Sequence, residues 1–229
     1  WKATPCFKVA MNLPVVNHDD YFAKIGDDHK FPINKFGELA NYLIQNKIVK
    51  KFHKPYACSL ETLSYAHSKA YISNIKNKTL SKEEVKKIGF PLVDSVVQRS
   101  FVATGGTVLA SKLAINYGIA CNTAGGSHHA NYDGGAGYCV FNDLAYASLH
   151  LIRAHQVKKI LIFDTDVHQG DGTASILKDN DKEVINKSKN LSDTKARSTQ
   201  GDVFINGLKV KAISGADSTK LKIKTRKFN

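Results

Sequence analysis

Lys158-Lys159-Ile160-Leu161-Ile162-Phe163-Asp164-Thr165-Asp166-Val167-His168-Gln169-Gly170-Asp171-Gly172 is the stretch on which the fold turns. The apolar run from Ile160 to Phe163 is continuous rather than alternating, as in a strand covered on both faces of a parallel sheet. If extended geometry persists for a few residues, the two-residue side-chain period sets Asp164, Asp166 and His168 on one side. Two carboxylates and an imidazole then stand at the carboxyl end of a buried strand, where open α/β sheets place their ligand sites. Aspartate with histidine is half of a divalent-metal site, and a catalytic zinc needs one more protein ligand and an open position. Gln169-Gly170-Asp171-Gly172 supplies the turn away from the strand and returns a third carboxylate.

Working back from this strand, Asp143 to His155 has helical spacing, and Ile119 to Asn122 reads as a short strand entering a glycine-rich loop. Pro91 to Tyr117 predicts a long helix, broken near Gly105-Gly106 and stopped at Gly118. Ser81 with Glu84 forms a capping box for another helix. Ser59 caps a helix that carries Leu60, Leu63, Ala66 and Ala70. Pro32 to Val49 predicts one more, with Phe36, Leu39, Ala40, Leu43 and Ile44 on its packing face. The alternation is α/β.

His128-His129 stands in the loop after the short strand, flanked by Gly125, Gly126, Ser127 and Ala130. Small neighbours let both rings approach a substrate, and each ring needs an orienting partner on its other nitrogen; Asp164 and Asp171 are the candidates. Two His–Asp dyads beside a metal give a general base or acid and a cationic stabiliser for hydrolysis. Taken singly, an Asp-x-Asp is commonly a strand-end turn and a His-His pair a surface accident. Their combination with glycine-rich loops at strand ends is the specific signal.

Composition sets the outer bounds. With 229 residues and 42% hydrophobic residues the chain can bury a sizeable core. No apolar run reaches the roughly 20 residues of a membrane span. Cys6, Cys58, Cys121 and Cys139 are scattered, against a disulfide framework or a thiolate zinc cluster and in keeping with a reducing cytoplasm. The net charge of +13 invites a nucleic-acid reading, but residues 182–229 hold 12 of the 33 Lys and Arg and 4 of the 20 Asp and Glu. Most of the excess sits in a lysine-biased tail with no aromatic stacking pattern interleaved, which speaks against nucleic acid. Lys187 to Gln200 has almost no apolar periodicity, so the catalytic part is expected over residues 1–181 and a divergent, disordered basic tail over 182–229.

At these residues the chain resembles the histone deacetylase superfamily, most of all its class IV and bacterial branch. The resemblance rests on Ala103 to Thr107, Asn122 to Ala130, Gly134 to Asp143 and Asp164 to Thr173, with weaker similarity at His29 to Pro32 and Ala66 to Tyr71. It implies the arginase-deacetylase fold: three layers, α/β/α, around a mainly parallel sheet. Carried over by motif position, Asp166 and His168 are zinc ligands. His129 paired with Asp171 is the general base and acid, and His128 paired with Asp164 holds transition-state charge. Gly137 and Tyr138 line an acyl-lysine channel, and Asp164 with neighbouring carbonyls binds a monovalent cation such as K+. The implied substrate is an acyl-lysine peptide or an acetylated small amine, with Asp27, Asp28, His29 and Phe31 at the rim.

The family's third zinc-binding aspartate and its catalytic tyrosine lie further downstream. Gly215-Ala216-Asp217 has the local look of the ligand motif but follows His168 too soon, and no tyrosine follows Tyr146. The sequence starts at Trp1 and leaves the family pattern after Asp181, as a C-terminally truncated or divergent member would. Three readings follow: a zinc-dependent lysine deacylase, an acetylpolyamine or other small-amide hydrolase, and a non-catalytic acyl-lysine-binding pseudoenzyme.

Overall fold

The computed structural model describes residues 13–180, 183–187, 203–205 and 208–210. Its chain divides into two units, Trp1–Lys189 and Asn190–Asn229.

The first unit is organised around a central helix, α5 (Asp94–Tyr117), which buries Val96, Phe101, Val102, Ala103 and Val108 on several sides. A helix apolar around most of its circumference belongs inside a core, and α6 (Asp143–Arg153) packs along it. The expected break at Gly105-Gly106 does not occur: α5 is continuous from Asp94 to Tyr117. These glycines serve close approach instead. A Cβ on Gly105 would lie 2.1 Å from the Tyr56 carbonyl oxygen, and one on Gly106 would lie 2.0 Å from the Tyr21 hydroxyl.

The other helices begin where side chains can cap them. Ser81 and Glu84 close a capping box on α4 (Lys82–Ile88). The segment after Ser59 forms two helices rather than one. α2 (Leu60–Leu63) is a single turn, and Ser68 caps a separate α3 (Lys69–Asn77) by accepting from the Tyr71 amide. Ser68 competes for the backbone, as a hydroxyl at a helix start does, and that ends the continuity expected from Leu60 to Ala70. α1 (Lys35–Gln45) buries Phe36 and leaves Leu39, Tyr42 and Ile44 exposed.

Among the described residues of this unit the strands form two separate parallel pairs, β1 (Val15–Val16) with β2 (Cys121–Asn122), and β3 (Ile160–Phe163) with β4 (Val184–Lys187). Only one edge of β3 is paired among the described residues. Its other side faces a cavity of about 450 Å³ walled by Leu144, Ala147 and Leu151 of α6, and Leu161 and Phe163 are about half exposed. The helical turn α7 (Asp171–Leu177) follows. β4 begins just past residue 181, where the sequence pattern ends; most of segment 182–229 lies outside the described residues. The second unit contains an antiparallel pair, β5 (Val203–Ile205) with β6 (Leu208–Val210). No described helix is long and apolar enough to cross a membrane.

Candidate active site

Both parallel pairs deliver the site from their carboxyl ends. β2 runs into the loop carrying His128 and His129, and β3 runs into the segment from Asp164 to Asp171. Extended geometry does not persist past Phe163, contrary to the expectation that put Asp164, Asp166 and His168 on one strand face. Two consecutive side-chain turns replace it: Asp164 Oδ1 accepts the Asp166 amide at 3.0 Å, and Asp166 Oδ1 accepts the His168 amide at 2.7 Å. Short carboxylates fold the backbone onto themselves, and the three side chains converge all the same.

His128 is buried, and its Nδ1 lies 2.6 Å from Asp164 Oδ2. His129 Nδ1 lies 2.9 Å from Asp171 Oδ1, and the two histidine rings stand 4.2 Å apart. An ionised carboxylate only accepts, so in each pair Nδ1 is the donor. Burial pushes the Asp171 carboxyl up, but the hydrogen bond from His129 and nearby backbone amides outweigh it and the net shift is downward. The amide and ring of His168 hold the Asp166 carboxyl below the usual range.

Asp166 Oδ1 and His168 Nδ1 are 2.9 Å apart, with side chains 50% and 69% exposed, so the pair opens outward. His128 Nε2 lies 4.0 Å from the same carboxylate oxygen. No group of three or more His, Cys, Asp or Glu residues able to hold a metal occurs among the described residues, and Asp217 lies outside them.

The sequence reading missed the group that holds the histidine loop. Asp143 is buried at the first turn of α6 and accepts the Ser127 amide at 2.7 Å, the Gly126 amide at 3.1 Å and the Thr107 hydroxyl at 2.5 Å. Gly125, at φ +107°, leaves room for it: a Cβ there would stand 2.6 Å from Asp143 Oδ2. Asn142 caps α6 and donates to the Ala130 carbonyl and the Thr173 hydroxyl, both at 3.0 Å. The Asn142 amide donates to Nε2 of the fully buried His67 at 2.9 Å. Asn-Asp ahead of an apolar period ordinarily means a helix start, and that ordinary role hid the second one.

A cavity of about 650 Å³ lies above the dyads, with Phe31, Arg99, Gly137 and Tyr138 in its wall. Gly137 lets the backbone rest on His129, since a Cβ would come within 2.8 Å of the ring. Tyr138 takes φ +65° and packs against Phe31 and Phe90 at ring distances of 5.2 and 5.3 Å. His29 joins this aromatic wall, 5.6 Å from Phe90. Arg99, also unanticipated, is buried with its guanidinium 4.8 Å from the Phe36 ring; burial lowers its pKa to about 10, so it stays charged at neutral pH.

Fold and site together define an arginase-deacetylase architecture with paired His–Asp dyads. The histone deacetylase domain matches residues 29–189, and the chain belongs to that family. An uncharacterized protein of Picosynechococcus sp. is 40% identical over 171 residues, which are 74% of this chain and 57% of that protein. Histone deacetylase 2 of Arabidopsis thaliana is 29% identical over 74% of this chain and 46% of its own length. For histone deacetylase 1 of Homo sapiens the figures are 31%, 58% and 29%. An HDAC homologue complexed with SAHA shares the fold at a TM-score of 0.66 and 23% identity, over 76% of this chain and 50% of that one. The HDA15 HD domain does so at 0.65 and 18%, over 76% and 52%. The chain thus spans about half the length of the first two relatives and of both structures.

Proposed function

We propose that this chain carries the dyad-bearing part of a zinc-dependent amidohydrolase that removes acetyl or longer acyl groups from lysine-like amines. The observation that carries the reading is the convergence of His128–Asp164, His129–Asp171 and Asp166–His168 on one aromatic-walled cavity. Asp166 and His168 fit zinc in donor type. Two donors about 2 Å from a tetrahedral zinc stand roughly 3.3 Å apart, near the 2.9 Å spacing here. Loading would exchange the proton they share for the ion. Zinc, when bound, polarises the acyl oxygen and favours ionisation of water.

The chain's own residues do the rest. Nε2 of His129, oriented by Asp171, takes a proton from the attacking water and returns it to the leaving amine. His128, backed by the buried Asp164 carboxylate, stabilises negative charge building on the acyl oxygen. Gly137, Tyr138 and Phe31 take the alkyl stem of the lysine-like substrate and keep water away. A monovalent cation beside Asp164 would temper the negative charge there. The free thiols of Cys58, Cys121 and Cys139 suit a reducing cytoplasm.

The absence of a third metal donor among the described residues favours one second reading, a non-catalytic acyl-lysine-binding module. Zinc content and turnover of a fluorogenic acetyl-lysine peptide, on this chain and on His129→Ala, separate the two. Stoichiometric zinc with turnover lost in the variant is the expected result. Peptide binding without zinc or turnover would establish the second reading, and neither binding nor turnover would sink both.

A further inference from the structure

Residues of α5 and α6 also wall a separate cavity of about 350 Å³, which shares no lining residue with the histidine cavity. We propose that it binds a small monocarboxylate with a short apolar chain, its carboxylate held by Lys112 and His150 and its chain laid along Val108 and Leu109. The proposal is independent of the reading of the histidine site.

Three observations carry it. Lys112 is half-buried in the wall and has no carboxylate partner among the described residues. His150 Nδ1 is buried without a hydrogen-bond partner. A half-buried ammonium and an orphaned ring nitrogen are each unfavourable until an acceptor arrives. Three other polar groups of the wall are already engaged: Thr62 Oγ1 pairs with the Tyr146 hydroxyl at 2.8 Å, Ser59 Oγ caps α2, and Lys54 Nζ binds Asp19 Oδ2 at 2.8 Å, while Tyr56 is almost fully exposed. Burial and the Lys112 charge both lower the pKa of His150, and a bound anion would oppose the second effect.

The chemistry of the ligand follows from this inventory. One uncompensated cation and one neutral ring match a single negative charge spread over two oxygens. A phosphate dianion would leave a charge unmatched. Ala57, Val108 and Leu109, with the weakly polar Cys58 thiol beside them, give the wall an apolar strip, which suits an alkyl chain better than a polyol.

Titrating hexanoate, hexanol and hexylamine into the full chain, by calorimetry and amide chemical-shift mapping, tests this. Hexanoate should bind, shifting amides of residues 105–112 and 146–150 rather than 125–129. Hexanol and hexylamine should bind at least about tenfold more weakly, and Lys112→Met should weaken hexanoate by about the same factor. Leu109→Trp, which fills the cavity and keeps the charge, should also abolish binding and guards against a misfolded Lys112 variant. No hexanoate binding, equal binding of hexanol, unchanged affinity in Leu109→Trp, or shifts confined to 125–129 would each overturn the proposal.

Discussion

Ser127 gives its backbone amide to the buried carboxylate of Asp143 at 2.7 Å, so the loop presenting both histidines is pinned from below by a residue that never reaches the cavity. Asp143→Asn replaces an acceptor of several N–H and O–H donors with a group that is half donor. The expected loss is about 3 kcal/mol, and for a chain of this size Tm falls by roughly 6–12 °C. Thermal melting followed by circular dichroism reads it; a Tm within a degree or two of wild type would remove Asp143 from its pinning role.

The two dyads should fail unequally. On the proposed mechanism, His129→Ala removes the general base and should lower kcat about 10²–10⁴-fold with KM little changed, whereas Asp171→Asn leaves the imidazole in place and should lose less. Steady-state kinetics with an acetyl-lysine peptide gives the comparison, and a larger loss in Asp171→Asn would invert the assigned roles.

Glycines offer a contrast in sign. Gly37 lies in α1 with open space around its missing Cβ, so Gly37→Ala should stabilise by about 0.5–1 kcal/mol. Gly105→Ala drives a methyl to 2.1 Å from the Tyr56 carbonyl and should cost about 1–3 kcal/mol despite the better helix propensity. Urea unfolding of the pair checks both signs.

His67 should make the fold acid-sensitive. Burial lowers its pKa from 6.5 to about 4, so the folded chain disfavours the imidazolium. Between these values the unfolded chain binds more protons, and stability is full above about pH 6.5 and falls as pH drops towards 4, by roughly 3 kcal/mol in all. His67→Gln, which keeps an acceptor for the Asn142 amide, should flatten that slope. An unchanged pH profile in the variant would assign the sensitivity elsewhere.

The sequence is most legible where one local cause decides the structure. Ser81 with Glu84 specifies a helix start by itself, and the apolar run at Ile160–Phe163 specifies a parallel strand, although only Ile162 is buried on it and the cover expected on both faces is not found among the described residues. Family order then brings His128, His129, Asp164, Asp166, His168 and Asp171 into one group before any coordinates exist. What sequence hides is governed by distant partners. Gly105-Gly106 looks like a break because nothing nearby says that the Tyr56 carbonyl and Tyr21 hydroxyl must press against the helix. Asp143 and His67 look like a cap and a core histidine because the amides they hold come from residues 16 to 75 positions away.

The half-paired strand β3 has a consequence for handling the protein. Ile160 to Phe163 carries no charge and offers one unpaired edge among the described residues, the form of strand that recruits other chains into intermolecular sheets. Lys158 and Lys159 before it and Asp164 after it are charged gatekeepers that oppose such growth. Colloidal behaviour of the chain should therefore hinge on those flanks: neutralising the two lysines should raise its tendency to aggregate with rising concentration and salt.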